Sequence, residues 1–595
     1  MRPAAVLLLL AFGGGAGAQE HPEAPLPPCP PFAGPSRALA RAPDDEWATP
    51  CETSRLTATP RYEATVAWLR RLTDESEMLR MVSLGKSEEG RDVWMVVASS
   101  DGVDTPADVD RSERGVFLAN AAIHPGEIDG KDAGMMLLRD IALGGKAALL
   151  DRAVFLFVPI LGADGHERFG PWNRMNQRGP VEQGWRTNAR NLNLNRDFAK
   201  LDCLELRALI AAVHAWDPDL WYDLHVTDGA DYQYDITWGY NGPHAHSPAS
   251  AAWMRDVLDP ALHADLAAQG HVPGPLVFAR DGADMTRGNS APTFTPRYSN
   301  GYGDARQIPT VLVENHSLKP YDQRVLGTYV LLESTLRVVG EHRATLREAI
   351  AADRARRADP VTLTFKVGEP REVAFLGIGQ EVVPSPVTGG VRIRWTGEPK
   401  TLKIPLFEGN VPDLQVKRPK AYWVPPAWHG VIERLRLHGI AMERLDRPRA
   451  QAVTMLRVET HELASAPFEG RMRVSATFRE ERHEPEWPAG TVRVPVDQPL
   501  GTLAVHLLDP RAPDSFFAWG FFLEILQRTE YAENYAMDPL AERMLQSDPE
   551  LKKEYEAKLK AEPDFAKDPE ARLAFFYEKT RYFDARFKLY PVGLE

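Results

Sequence analysis

The chain has 595 residues, 44% of them hydrophobic and 26% charged, the composition of a globular protein with apolar surface enough for two or three cores. Its formal net charge of -13 counts against nucleic acid or anionic membrane surfaces as partners, since both repel an acidic protein with no local basic patch. Three cysteines and no Cys-x-x-C pair exclude a thiolate metal site, so any metal must be held by histidine and carboxylate.

In chain order, residues 1–18 combine a charged start, a short apolar centre and Ala16-Gly-Ala18, which predicts a secretory signal cut before Gln19 and a periplasmic or secreted protein. The apolar run is too short for a membrane anchor, and no later segment is long enough to span a bilayer. Residues 19–58 form a leader rich in Pro and Ala, in which Cys29 and Cys51 are expected to be able to pair in an oxidising compartment. Cys203, among leucines, is expected to be a buried structural thiol.

Regular structure is predicted to begin with a helix over residues 62–69. From there to residue 350, apolar runs of strand type at 93–98, 116–123, 154–161, 220–224 and 310–313 alternate with helical stretches. Near-continuous apolar strands separated by helices predict an α/β sheet covered on both faces. In such sheets the strand ends carry the site, and His124, His225 and Glu314 each follow a strand. Residues 360–510 change to short alternating runs with Gly and Pro, predicting a β-rich module with one helix near 431–435 that ends at Gly439. Residues 511–595 turn helical again, with Asp548-Pro and Asp568-Pro as predicted helix starts.

His124-Pro-Gly-Glu127 places an imidazole and a carboxylate three residues apart after a strand, a way to hold zinc. That spacing alone is common. A catalytic metal needs a third ligand and an open position, and His225, delivered by the strand that ends in Asp223-Leu-His225, is preferred to His244 and His246, which lie in a loop with nothing to fix it. Asp223 shares a strand face with His225 and supports it. Glu314 is the carboxylate placed to act as a general base. The segment 185–197 collects Arg186, Arg190 and Arg196 among asparagines, where guanidinium groups beside a metal clamp a carboxylate and stabilise an oxyanion.

Together these pieces resemble the zinc metallocarboxypeptidases, the carboxypeptidase A-like or funnelin family, over residues 60–340. Gly85-Lys-Ser-Glu-Glu-Gly-Arg91 is similar to the motif that leads into the family's sheet, His124-Pro-Gly-Glu127 to its first zinc motif, and Asp223-Leu-His225 to its third ligand. The resemblance implies a mixed, mostly parallel sheet flanked by helices over residues 59–350 and one zinc ion per chain on His124, Glu127 and His225. It implies Glu314 as general base, Arg186 polarising the scissile carbonyl, and Asn195 with Arg196 gripping the carboxylate of a peptide with a free C-terminus. Tyr298 and Tyr302 are both candidates for the family's substrate-capping tyrosine. Asn193 stands where the family often has an aspartate bonded to the first zinc histidine, which predicts a weaker support for His124.

The reading is a hydrolase releasing C-terminal residues. Its rivals are a zinc amidase acting on peptidoglycan stem peptides, and a catalytically idle zinc-binding protein that uses the cleft for recognition.

Overall fold

A computed structural model describes residues 26–111 and 113–595; the predicted signal sequence lies outside the described residues. An eight-stranded sheet forms the centre of the first half. Its strands are β1 (Leu79–Lys86), β2 (Asp92–Ala98), β3 (Gly115–Ala121), β4 (Ala153–Val158), β5 (Leu220–Val226), β6 (Ile236–Gly239), β7 (Pro273–Pro275) and, after the short β8 (Asn289–Ala291) of a separate sheet, β9 (Thr310–Asn315). The order is β1-β2-β4-β3-β5-β9-β6-β7. β4, β3, β5 and β9 run parallel, β2 and β6 pair with β4 and β9 antiparallel, and at the edges β1 pairs antiparallel with β2 and β7 parallel with β6. The sheet is mixed and mostly parallel, as expected.

Its central strands are apolar on both faces because both are covered. Val116 and Leu118 of β3 pack with the helix Leu204–Trp216, while Phe117, Ala119 and Ala121 pack with the helices Tyr62–Asp74, Asp129–Ala142 and Tyr321–Ala355. The Gly85–Arg91 motif has a structural role at the sheet's edge. The Ser87 hydroxyl, the Glu89 amide and the Arg91 guanidinium all donate to Asp164, at 2.6, 2.9 and 2.8 Å, which ties the β1–β2 turn to the short helix Ala163–Glu167.

The leader is packed from residue 26 onward. Trp68 Nε1 donates to the Ala48 carbonyl at 3.2 Å, and Glu52 pairs with the buried Arg139. Cys29 and Cys51 do not pair. Cys51 is buried with its thiol facing the Tyr321 hydroxyl at 4.0 Å, and Cys29 faces the Pro30 carbonyl at 3.6 Å. Cys203 is buried just before the helix Leu204–Trp216, and burial pushes its thiol far above the usual range.

The second half is β-rich. A long hairpin, Arg371–Pro384 with Val391–Glu408, pairs its second strand with β8. A six-stranded sheet follows, in the order Glu443–Arg444, Val492–Pro495, Ala421–Val424, Gly593–Leu594, Val453–Leu463, Val474–His483. The chain's last strand thus lies inside a sheet built 100 to 170 residues earlier. The helix His429–Leu437 ends at Gly439, whose φ of 76° is left-handed. Asp548 and Asp568 each accept two backbone amides at a helix start. Apolar side chains run without a break from the Val116 face of the first sheet to Leu435, Leu503, Phe516 and Val592, so the two halves share a core. Among the described residues no helix is long and apolar enough to cross a membrane.

Candidate active site and metal centre

The parallel strands β3 and β5 end side by side, and each delivers part of the site. After β3 the chain turns through Ala122, at a left-handed φ of 53°, into His124-Pro-Gly-Glu127. There the Glu127 amide donates to the His124 carbonyl at 2.8 Å. Gly126 is required by close approach: a Cβ would stand 2.8 Å from Arg174 Cγ and 3.0 Å from the Gly184 carbonyl oxygen. The turn aims both side chains inward, where both are buried.

His225 is the penultimate residue of β5. Its Nδ1 lies 3.0 Å from Glu127 Oε2 and 3.2 Å from His124 Nδ1, and His124 Nδ1 lies 3.0 Å from the same carboxylate oxygen. The ligating atoms of the three residues fall within 4.8 Å of one another. The other ring nitrogens are already used: His124 Nε2 bonds Asn193 Oδ1 at 2.8 Å, and His225 Nε2 faces Asp223 Oδ2 at 2.8 Å. Asp223 is held in turn by Asn120 at 2.6 Å, and Asn120 by Trp221 Nε1 at 2.6 Å. Each imidazole therefore has its Nδ1 left for a metal and its Nε2 fixed by an oxygen. Two imidazoles and a carboxylate oriented this way fit a catalytic zinc.

The neighbouring charges act on the three residues in different directions. Burial disfavours charge on Glu127, but His124 and Arg174 outweigh it and hold the carboxyl well below its usual range. Burial likewise opposes a charged His225, yet Asp223 and Glu127 raise that imidazole well above its ordinary value. His124 is pushed down by burial, with Glu127 opposing. Two guanidinium groups share the remaining Glu127 oxygen: Arg174 at 3.0 Å and Arg186 at 3.1 Å.

The three residues open into a cavity of about 260 Å³ that Arg186, Asn195, Arg196, Tyr298 and Glu314 also line. Glu314 stands on β9 directly opposite His225 in the register. Its Oε2 is buried and has no hydrogen-bond partner among the described residues. Burial pushes the carboxyl up to about 8; His225 opposes this, and the Glu127 and Asp228 carboxylates add to it. Asn195 Nδ2 approaches His225 Nε2 at 3.5 Å. Arg196 lies over the Tyr298 ring, 4.6 Å from its centroid, and donates to the Asn195 carbonyl at 2.7 Å. It makes no ion pair with any described residue.

Tyr302 is elsewhere. It is fully buried one turn into the helix Ser299–Arg306, and its hydroxyl bonds His438 at 2.9 Å; only Tyr298 of the two tyrosines lines the cavity. His244 and His246 are also remote from it, engaged with Thr293 at 2.6 Å and His506 at 3.0 Å. Several lining residues had no signal in the sequence. The apolar wall of Leu276, Val277, Phe278 and Phe294 comes from irregular segments, and Arg174, which pairs with Glu127 from behind the cavity's lining, sits in a stretch without periodicity. Asp228 was within reach of the strand-end argument, three residues beyond His225.

Residues 65–259 match the model of the zinc carboxypeptidase family. The chain is 23% identical to Carboxypeptidase 2 of Trichophyton rubrum over 488 residues, which covers 77% of this chain and 84% of that protein. It is 28% identical to Carboxypeptidase 2 of Trichophyton tonsurans over 107 residues, or 18% of this chain and 20% of that one. Among solved structures, the metallo-carboxypeptidase from Burkholderia cenocepacia is 17% identical at a TM-score of 0.34, covering 47% of this chain and 69% of its own. Carboxypeptidase A from Helicoverpa armigera is 16% identical at a TM-score of 0.34, covering 49% and 74%. The family match contains His124, Glu127, Arg186, Asn195, Arg196 and His225 and stops before Tyr298 and Glu314. Residues 65–259 are thus similar to the zinc carboxypeptidase family, a match that spans about a third of the chain.

Proposed function

We propose that this protein is an exported, zinc-dependent carboxypeptidase that removes residues from the C-terminus of peptides. A zinc ion held by His124, Glu127 and His225 would acidify a water and polarise the scissile carbonyl. Glu314 takes the proton of the attacking water and passes it to the leaving amine. Its unpartnered Oε2 and raised proton affinity suit a group that must hold a proton between those two steps. Arg186 lines the same cavity and donates to the oxyanion as it develops.

The observation that carries the exopeptidase reading is Arg196. A guanidinium more than half buried in the cavity, stacked on Tyr298 and lacking an anionic partner among the described residues, is a receptor for a carboxylate. With Asn195 beside it, the geometry favours the free C-terminus of a peptide, with Tyr298 flanking it. The walls of Leu276, Val277, Phe278 and Phe294 leave apolar surface for its terminal side chain.

The test is hydrolysis of one peptide in two forms, free acid and C-terminal amide, by metal-replete protein. We expect cleavage of the acid at least tenfold faster than of the amide, which corresponds to about 1.4 kcal/mol. Equal cleavage of both sinks the exopeptidase reading, and cleavage confined to peptidoglycan stem peptides transfers the site to an amidase.

A further inference from the structure

The carboxylate-binding side of the cavity is held from outside the family-matched residues. At the turn between the strands Val453–Leu463 and Val474–His483, Phe468 and Arg471 exchange backbone hydrogen bonds at 2.9 and 3.1 Å. The two residues between them, Glu469 and Gly470, have φ of 50° and 76°. A turn with two left-handed central residues favours Asn or Asp followed by Gly, so Glu at the first of them is a poor local choice. Its side chain has a distant use: Glu469 Oε2 accepts the backbone amide of Asn193 at 2.8 Å. Asn193 is the residue whose Oδ1 bonds His124 and also accepts the Asn195 amide at 2.9 Å. Arg471 anchors the same turn through a bidentate pair to Asp202, at 2.6 and 2.7 Å.

A second carboxylate does the same to the other wall. Asp514 accepts the Arg297 amide at 3.0 Å and pairs with the Arg297 side chain at 2.7 Å, next to Tyr298. Segments 193–196 and 297–298 meet in the Arg196–Tyr298 stack.

Resting on the carboxypeptidase reading, we propose that Glu469 and Asp514 are positioning residues of the active site, which place Arg196 and Tyr298 to receive the substrate's carboxylate. The β-rich half is then a part of the substrate site. The negative charge of Glu469 also acts on Arg196.

The experiment uses the full chain, loaded with zinc, with Glu469→Ala, Glu469→Gln and Asp514→Ala. Each is assayed for kcat and KM on a peptide free acid and on its amide, and for calorimetric binding of an N-acetyl amino acid. Loss of one hydrogen bond to a charged group predicts that Glu469→Ala raises KM for the acid, and weakens N-acetyl amino acid binding, about tenfold. KM for the amide is expected to rise less than KM for the acid, and zinc content, measured alongside, reports any effect relayed through Asn193 to His124. Glu469→Gln keeps an acceptor for Asn193 and should recover most of the loss, while Asp514→Ala repeats the effect if Glu469→Ala does not fold. An unchanged preference for the acid, or an equal loss on both substrates, overturns the proposal. A wild-type protein with no preference for the acid overturns the reading of Arg196 beneath it.

Discussion

The two sides of the cavity are built in different ways. The metal side is made of strand ends: β3 leads to His124 and Glu127, β5 carries His225, and hydrogen bonds from Trp221 to Asn120 and from Asn120 to Asp223 hold the carboxylate that pairs with the second imidazole. The side proposed to receive the carboxylate is made of irregular segments, 193–196 and 297–298, held by Glu469 and Asp514 from the other half of the chain. Rigid elements place ligands to the accuracy a metal needs, whereas loops that read a substrate require an outside support. Catalytic power and substrate selection in this protein should therefore fail separately.

The sharpest break is expected at Glu314, which belongs to the metal side. Glu314→Gln should lower kcat by about 10²–10⁴-fold while zinc content and KM for the free acid stay near the wild-type values. Full turnover by a zinc-loaded Glu314→Gln protein removes it from the role of base. Between the two sides stands Asn193, whose side chain supports His124 and whose amide is held by Glu469. Asn193→Ala should weaken zinc binding about 10–100-fold, measured by competition with a chelator. Zinc affinity equal to wild type would mean that His124 needs no partner on its Nε2.

An effect on stability alone, with none expected on the reaction, concerns the frame beneath both sides. Glu205, in the first turn of the helix Leu204–Trp216, is fully buried and neither carboxyl oxygen has a hydrogen-bond partner among the described residues. Burial pushes it up to about 7, with its own backbone amide opposing and the Asp164 and Glu88 carboxylates adding to the shift. Its folded-state proton affinity is raised, so between about pH 4.5 and 7 the folded state binds more protons than the unfolded one, and stability falls as pH rises through that window. At about 1.4 kcal/mol per pKa unit the effect reaches about 3 kcal/mol. Glu205→Gln should flatten the pH dependence of Tm over that range and leave the acid-to-amide preference intact. A pH slope that survives the substitution assigns it to another group.

Much of the metal side was legible because it is local. Apolar runs marked β3, β5 and β9, and a polar residue just past each run marked His124, His225 and Glu314. Alternation along a strand also placed Asp223 beside His225. Tyr298 and Tyr302 could not be separated in this way. The stretch Tyr-Ser-Asn-Gly-Tyr reads as a loop, but it starts a helix: Tyr298 remains at the helix entrance facing the cavity, and Tyr302, one turn later, enters the core against His438. Arg174 was invisible because its position depends on Gly126 leaving room for its stem.

The sequence by itself determined which residue types stand ready for the proposed chemistry. The spacing of His124 and Glu127, a histidine and a glutamate at strand ends, and arginines among asparagines are residue types that no other part of the molecule has to explain. Only the tertiary structure decided which residues reach the cavity and what holds them there. It left His244, His246 and Tyr302 outside, added Asp228, set Arg174 against Glu127, and tied Asn193 and Arg297 to carboxylates more than two hundred residues further along. The physical reason is range. Strand periodicity and turn chemistry act over a few residues and can be read from the chain, whereas a hydrogen bond between Glu469 and Asn193 exists only once the two halves have closed on their common core.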